Sequence, residues 1–253
     1  MDYEKIIELV KTAGDFVYAD DLRNDISLKG DADFVTNVDI TISNFLKTKL
    51  YELYPEIGFF SEEEDGYLKD PCWILDPIDG TTNLIFGYKM SSISLGLYCN
   101  NEMMFGIVYN PFTQECFTAE RNKGSYVNGK LLSVSKRKIE ESIIEFGAGS
   151  TRKKEADKNF ELAKEIFKNC IDIRRICSSA LDLCFIADGR IDGYFEKVLK
   201  PWDIAAGSLI LEEAGGKITD YNGSPIKFSN PTSIVASNGV THEYLVNTIK
   251  KYQ

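Results

Sequence analysis

Hydrophobic and polar positions repeat along this chain with two different periods. From residue 3 to 18, Ile6, Val10, Ala13 and Val17 recur every three or four positions with Glu4, Lys5, Glu8 and Lys11 between them, which predicts an amphipathic helix. A second stretch of this kind runs from Thr36 to about Tyr54 through Val38, Ile42, Phe45 and Leu53, and Pro55 closes it. The polar DDLRNDISLKGDAD between them predicts a loop or ragged hairpin. Ile57 to Phe60 reads as a strand that delivers Ser61 and the acids Glu62, Glu63 and Glu64 to its end. Trp73-Ile74-Leu75 reads as another, halted by Pro77, which lacks an N–H and pushes Asp76 into extended backbone. Acid clusters are commonly solvated faces. Here each follows a buried apolar strand, so the two acidic strand ends are expected to be neighbours.

Past residue 90 the period shortens. Short β-rich runs (SISLGLYC, MMFGIVY, ECFTAE, SYVNG) alternate with turn signals at Asn100-Asn101, Asn110-Pro111, Lys123-Gly124 and Asn128-Gly129, predicting an antiparallel meander over 91–137. Ile143 to Phe146 adds a strand, 152–169 a charged amphipathic helix, 178–187 an apolar helix begun by two serines, and 192–196 a strand ending in Glu196. A buried helix is predicted from about Asp203, in N-cap position, to Glu213, with Gly215-Gly216 as its stop. Two short strands around Asn222-Gly223 and Ile234 to Ala236 follow, then a small helix in which His242 is assigned to the surface.

Composition narrows the chemistry. The 253 residues, 43% hydrophobic, suffice for one large catalytic domain, with lobes at about 1–137 and 138–253. A formal charge of -10 argues against nucleic acid or an anionic membrane as partner and attracts divalent cations. No apolar run approaches membrane-spanning length. Six scattered cysteines, no C-x-x-C pair and no secretory leader point to reduced thiols and a cytoplasmic location. The single histidine excludes a His-rich metal site and makes a Ser-His-Asp triad an unpromising reading. Carboxylates, hydroxyls and bound metal are left to do the work.

The segment WILDPIDGTTN gathers Asp76 and Asp79 in one stiff turn with the Ile78 carbonyl between them. Hard oxygens converging on one spot suit Mg²⁺. The N–H groups of Gly80, Thr81 and Thr82 are candidates for a phosphate cradle. Each element also has a plain local explanation: a Pro/Gly/Asp turn needs no ligand, Asp39 in a first helical turn complements the dipole, and Ser178 and Ser179 either cap their helix or face a ligand. Lys29 is a candidate phosphate-side cation or a solvated surface lysine.

Together, VTNVD ending at Asp39, FFSEEE, WILDPIDGTTN and PWDIAAGSLILEEAGG resemble, in order, the signature segments of the inositol monophosphatase family of Mg²⁺-dependent, lithium-sensitive sugar-phosphate phosphatases. The resemblance spans nearly the whole chain. It implies an α/β (α+β) fold, a layered α-β-α-β-α sandwich of the inositol monophosphatase and fructose-1,6-bisphosphatase type, commonly dimeric. It implies Glu62, Asp76, the Ile78 carbonyl, Asp79 and Asp203 as ligands to two or three Mg²⁺ ions, and Asp39 and Thr81 as the groups that orient and deprotonate the attacking, metal-activated water, with Glu62 beside them. Phosphate is expected on Gly80 and Thr81, and substrate against Ile78, Asp79, Ser178, Ser179, Ala180, Glu196 and Asp203. Ser61 departs from the usual glycine before the glutamate pair, and Ser178-Ser179-Ala180 from a Gly-Ser/Thr-Ala pattern.

The expected reaction is hydrolysis of a small phosphate monoester of the myo-inositol 1-phosphate type by a homodimeric enzyme. Fructose 1,6-bisphosphate and 3′-phosphoadenosine 5′-phosphate are the alternative substrates. A non-catalytic sugar-phosphate or cation sensor is the reading from another class. DADFVT, 31–36, also approaches the D-x-D nucleophile loop of haloacid-dehalogenase phosphatases, but the strand that should precede it, NDISLKG, is poor.

Overall fold

The computed structural model describes residues 1–19, 26–30, 33–64, 66–148, 153–228 and 231–252. The Lys29 side chain and Asp31 lie outside the described residues. Helix α1 (Tyr3–Gly14) leads to a hairpin of β1 (Ile26–Gly30) and β2 (Asp33–Thr36), then to α2 (Asn37–Leu53). Thr36 caps α2, its hydroxyl accepting the Val38 N–H, and the N3 residue Asp39 reaches back to the Thr36 N–H.

Strands β3 (Gly58–Ser61), β4 (Cys72–Asp79), β5 (Ser92–Cys99), β6 (Glu102–Asn110), β7 (Glu115–Glu120), β8 (Ser125–Val127) and β9 (Lys130–Leu131) form a seven-stranded sheet in sequential order. The pair β3–β4 is parallel, and the meander beyond it is antiparallel, as its turn signals predict. A second, five-stranded sheet orders β10 (Ile143–Phe146), β11 (Asp172–Arg174), β12 (Gly193–Leu199), β13 (Lys217–Thr219) and β14 (Thr232–Ser237) as β11-β10-β12-β14-β13.

Helices fill three layers around these sheets. Helices α1 and α2 cover one face of the large sheet, with Ile6, Val10, Ile42 and Leu46 fully buried against Trp73, Leu75 and Ile107. Each such side chain contributes on the order of 1.5–3 kcal/mol. Between the sheets lie α5 (Ser179–Ala187) and α6 (Pro201–Glu213), which are apolar nearly all round because protein contacts them on both sides. The outer face of the small sheet carries α4 (Ala156–Phe167) and α7 (His242–Lys250). The short α3 (Thr81–Ile85) follows β4 directly.

Helix α6 sits unusually close to the large sheet. A Cβ on Gly106 of β6 would stand 2.8 Å from the Ala206 carbonyl oxygen, so the two backbones touch where any larger residue would wedge them apart.

Three readings change. His242 is buried, 4% exposed, its ring nitrogens 3.0 Å from Thr219 Oγ1 and 2.9 Å from Ser237 Oγ. The helix presents it inward, against two strand ends distant in sequence. Helix α6 begins at Pro201, which suits the first helical turn because it has no N–H to satisfy there, so Asp203 is the third helical residue and not the cap. Strand β11, parallel to β10, is a further edge strand.

Candidate active site

Parallel pairing brings the first two acids together. Ser61 of β3 lies opposite Leu75 of β4, and the Glu62 N–H donates to the Leu75 carbonyl at 3.2 Å, so Glu62 at the end of β3 stands beside Asp76 inside β4, which does not halt at Pro77 as expected but runs on to Asp79. The buried Ser61 places its Oγ 3.3 Å from Ser43 Oγ on α2, a polar contact between strand end and helix.

Pro77 then disturbs β4. Its pairing with β5 shifts between Asp76 and Asp79, where the ladder loses an N–H. Asp76 Oδ1 accepts the Ile78 N–H at 3.0 Å and tightens the bend. Gly80 follows with φ +86, a left-handed conformation, and a Cβ there would lie 2.9 Å from the Met90 carbonyl oxygen.

Helix α3 opens with Thr81, whose hydroxyl has two acceptors: the Ile78 carbonyl at 3.0 Å and Asp39 Oδ1 at 3.3 Å. Asp39 in turn is held through Oδ2 by the Thr36 N–H at 2.9 Å and the Thr36 hydroxyl at 2.6 Å. The two oxygens of Asp39 thus divide their work: one finishes the cap of α2, the other faces Thr81.

Asp79 and Asp203 are held by helix starts. Asp79 Oδ2 accepts from the Ser178 hydroxyl and, at 2.9 Å, from the Ala180 N–H, so it caps α5 from a distant strand. Ser178 stands at the N-cap but makes no side-chain cap bond; its hydroxyl serves Asp79 instead. Asp203 Oδ2 accepts the Lys200 N–H at 2.6 Å.

These acids are close enough to oppose one another's charge. Burial first, then the charges of Glu62, Asp79, Asp203 and Asp39, raise the Asp76 carboxyl well above its ordinary range. Burial and then Asp79 likewise raise Asp203. Asp79 is pushed up to about 6 by burial against the pull of its Ser178 and backbone donors, and Asp39 to about 6 by burial against its Thr36 hydrogen bonds. No basic side chain figures among the principal influences on any of the four. Among the described residues, no three acidic, histidine or cysteine groups are already gathered in metal-holding geometry. The hydrogen bonds of Asp76, Asp79 and Asp203 fall on a single carboxylate oxygen each. An all-oxygen donor set with mutual repulsion and no cationic partner fits a hard divalent cation, which would relieve that repulsion.

Glu196 approaches from β12, with the Tyr194 hydroxyl donating to it at 2.5 Å. Ahead of Ser178, Cys177 adopts φ +59, and its carbonyl would lie 3.3 Å from a Cβ on Gly80. Sequence reasoning left out Thr36, Tyr194 and Asn83. The last donates to the carbonyls of both Met90 and Ile176 at 2.7 Å and joins the turn at Gly80 to the segment before α5. The G-T-T-N run from Gly80 to Asn83 gave no hint of these partners.

Comparison with known proteins decides the lineage. The family model described as "Inositol monophosphatase family" matches residues 3–253. The chain belongs to that family. Among relatives, it is 35% identical over 230 residues to the Nus factor SuhB of Pasteurella multocida, covering 89% of this chain and 85% of that protein. It is 34% identical over 230 residues to the inositol-1-monophosphatase of Mesorhizobium japonicum, covering 89% and 86%. Of solved structures, the Thermotoga maritima IMPase superposes with a TM-score of 0.92 at 30% identity, covering 100% of this chain and 98% of that one. An IMPase/NADP phosphatase complexed with Mg²⁺ and phosphate superposes at 0.86 and 26% identity, covering 97% and 93%. Membership supports phosphatase activity, and the mixed α/β fold with two sheets is the family's. The left-handed backbone at Cys177 is one that a glycine would adopt without strain.

Proposed function

We propose that the protein is a Mg²⁺-dependent phosphomonoesterase that hydrolyses an inositol monophosphate of the myo-inositol 1-phosphate type to inositol and phosphate. The observation that carries this reading is that Asp76 and Asp203 are each raised by burial and by acidic neighbours that include Asp79, itself raised by burial, beside the Thr81–Asp39 contact. Glu62, Asp76, the Ile78 carbonyl, Asp79 and Asp203 would hold two or three Mg²⁺ ions. When bound, the metal supplies neutralisation of charge on the phosphoryl oxygens and the departing alkoxide.

The chain's own residues do the rest. Thr81 can accept a hydrogen bond from an incoming water while its single proton, shared in this structure between the Ile78 carbonyl and Asp39, turns to Asp39. Asp39, anchored on Oδ2 and desolvated, is the base at the end of that path, its carboxyl at about 6 rather than deep in the acid range. The N–H groups of Gly80 and Thr81, at the start of α3, orient phosphate for in-line attack. No phosphorylated side chain is needed.

We assign Glu196 to the alcohol portion of the substrate, with Ser178, Ser179 and Ala180 shaping the wall beside it while their own hydroxyl and N–H groups are held by Asp79 and Tyr194. A carboxylate accepts hydrogen bonds from hydroxyls and repels a second phosphate, so Glu196 favours a neutral polyol over fructose 1,6-bisphosphate or 3′-phosphoadenosine 5′-phosphate. The same reading includes a cytoplasmic homodimer acting on small molecules and not on nucleic acid or membranes. Among the described residues, no helix is long and apolar enough to cross a membrane.

The test is phosphate release with and without Mg²⁺ from inositol 1-phosphate and both alternatives, compared as kcat/KM. Highest values on inositol 1-phosphate, lost on chelation, are expected. No release from any of the three would leave the sensor reading in its place.

A further inference from the structure

Glu196 is held by residues that lie in none of the acidic motifs. Tyr194 and Glu196 are two positions apart on β12 and leave the same face of the small sheet. The Tyr194 hydroxyl donates to Glu196 Oε2 at 2.5 Å and lies 2.9 Å from Ser179 Oγ. A phenol has one proton; since that proton goes to Glu196, Ser179 is the donor to Tyr194. The path Ser179→Tyr194→Glu196 therefore runs in one direction. It starts in the first turn of α5, the helix whose Ala180 N–H is bound by Asp79. Tyr194 is 1% exposed, so its ring has no freedom to turn away.

A second contact acts from the neighbouring strand. Beyond the end of β10, the Gly147 N–H donates to the Phe195 carbonyl at 3.0 Å and carries the ladder one residue further. A Cβ on Gly147 would lie 1.8 Å from Glu196 Oε2 and 2.0 Å from its Cδ. The carboxylate occupies the volume that any other residue at 147 would take.

We propose that Tyr194 and Gly147 are positioning residues for substrate choice: the phenol fixes the plane of the Glu196 carboxylate and the missing side chain at 147 gives it a seat, so that it meets the hydroxyls of a polyol phosphate. The proposal rests on the reading of Glu196 as the hydroxyl acceptor. A free carboxylate at that site would sample several rotamers and pay for ordering whenever substrate bound. Tyr194 and Gly147 remove that cost in advance.

The test uses full-length protein with saturating Mg²⁺, inositol 1-phosphate, and p-nitrophenyl phosphate, a monoester without ring hydroxyls. Tyr194→Phe keeps the ring and removes one hydrogen bond. It is expected to raise KM for inositol 1-phosphate about 5- to 10-fold with kcat within about twofold, and to lower the ratio of kcat/KM for inositol 1-phosphate over p-nitrophenyl phosphate by a similar factor. Gly147→Ala is expected to move the same ratio in the same direction. In a double-mutant cycle, Tyr194→Phe with Glu196→Gln should be no worse than Glu196→Gln alone. An unchanged ratio in Tyr194→Phe, an equal loss on both substrates, or additive effects in the cycle would overturn the proposal. Parent protein active on p-nitrophenyl phosphate but inert on inositol 1-phosphate would instead overturn the polyol reading beneath it, so the two failures are distinct.

Discussion

The hydroxyl oxygen of Thr81 lies 3.3 Å from Asp39 Oδ1, joining residues 42 positions apart in the chain. Neither residue needs the other for its secondary structure: Asp39 completes the cap of α2 with its other oxygen, and Thr81 reaches the Ile78 carbonyl within its own turn. Their contact is left over once local structure is satisfied, and it faces the acids.

Asp39→Asn should therefore keep the cap, because an amide oxygen still accepts the Thr36 N–H, and lose the base. We expect kcat to fall about 10²–10⁴-fold with the melting temperature nearly unchanged, and Thr81→Ala to fall comparably. Phosphate-release kinetics at saturating Mg²⁺ decide this. Rates near the parent's in both variants would remove the pair from the mechanism.

Asp76→Asn and Asp203→Asn should abolish turnover while stabilising the metal-free protein. Each neutralises a buried acid that its neighbours already oppose, a gain of about 1–2 kcal/mol. In the parent, Mg²⁺ at 100 times its dissociation constant should add roughly 2.7 kcal/mol, and much of that increment should vanish in the variants. Thermal melts in chelator and in Mg²⁺ measure both effects. Variants that melt lower than the parent in chelator would contradict the account of the acids.

Two buried groups outside the site should bend the pH–stability curve in opposite directions. Glu145 is 3% exposed, its Oε2 lacks a hydrogen-bond partner, and burial pushes its carboxyl from 4.5 up to about 7 against a weaker pull from Arg174. Between those values the unfolded chain ionises and the folded one does not, so stability falls as pH rises, by up to about 3 kcal/mol. Burial, and then Lys217, lowers His242 from 6.5 to about 4. Here the folded state refuses a proton the unfolded chain accepts, so stability falls as pH drops from 6.5 towards 4. The two slopes offset each other between about pH 4.5 and 6.5. Glu145→Gln should unmask the His242 slope, giving urea midpoints that climb with pH more steeply than the parent's. Parallel curves would show that Glu145 ionises freely in the folded state.

Gly80→Ala should cost stability and activity together. At φ +86, with the Met90 carbonyl 2.9 Å from the new methyl, the turn must shift; we expect a loss of about 1–3 kcal/mol and a drop in kcat/KM. A variant as stable as the parent would mean that the turn has slack.

Much of this was legible from pattern because the acids follow apolar strands. The FFS and WIL runs foretold two neighbouring strands, and β3 and β4 are parallel neighbours, although β4 passes through Pro77 with a shifted register where a strand end was expected. The meander followed from its turn residues. Contacts between distant polar groups were not legible. Ser178 and Ser179 suggested either a self-capped helix or a ligand contact, yet a cap comes from Asp79 on the large sheet. His242 sits on an amphipathic helix whose inward face was ambiguous until Thr219 and Ser237 came into view. Strand β11 has three residues and lies at an edge, too short for any period to register. At Cys177 a left-handed backbone carries a side chain that gives no warning of it.

The contact between Gly106 and Ala206 has a consequence far from where it occurs. Asp203 lies one turn before Ala206 on the same helix, so the placement of a carboxylate is inherited from a hydrogen atom in the middle of a sheet. A methyl group added there would lever the helix outward and carry Asp203 with it, silencing chemistry without altering one polar atom.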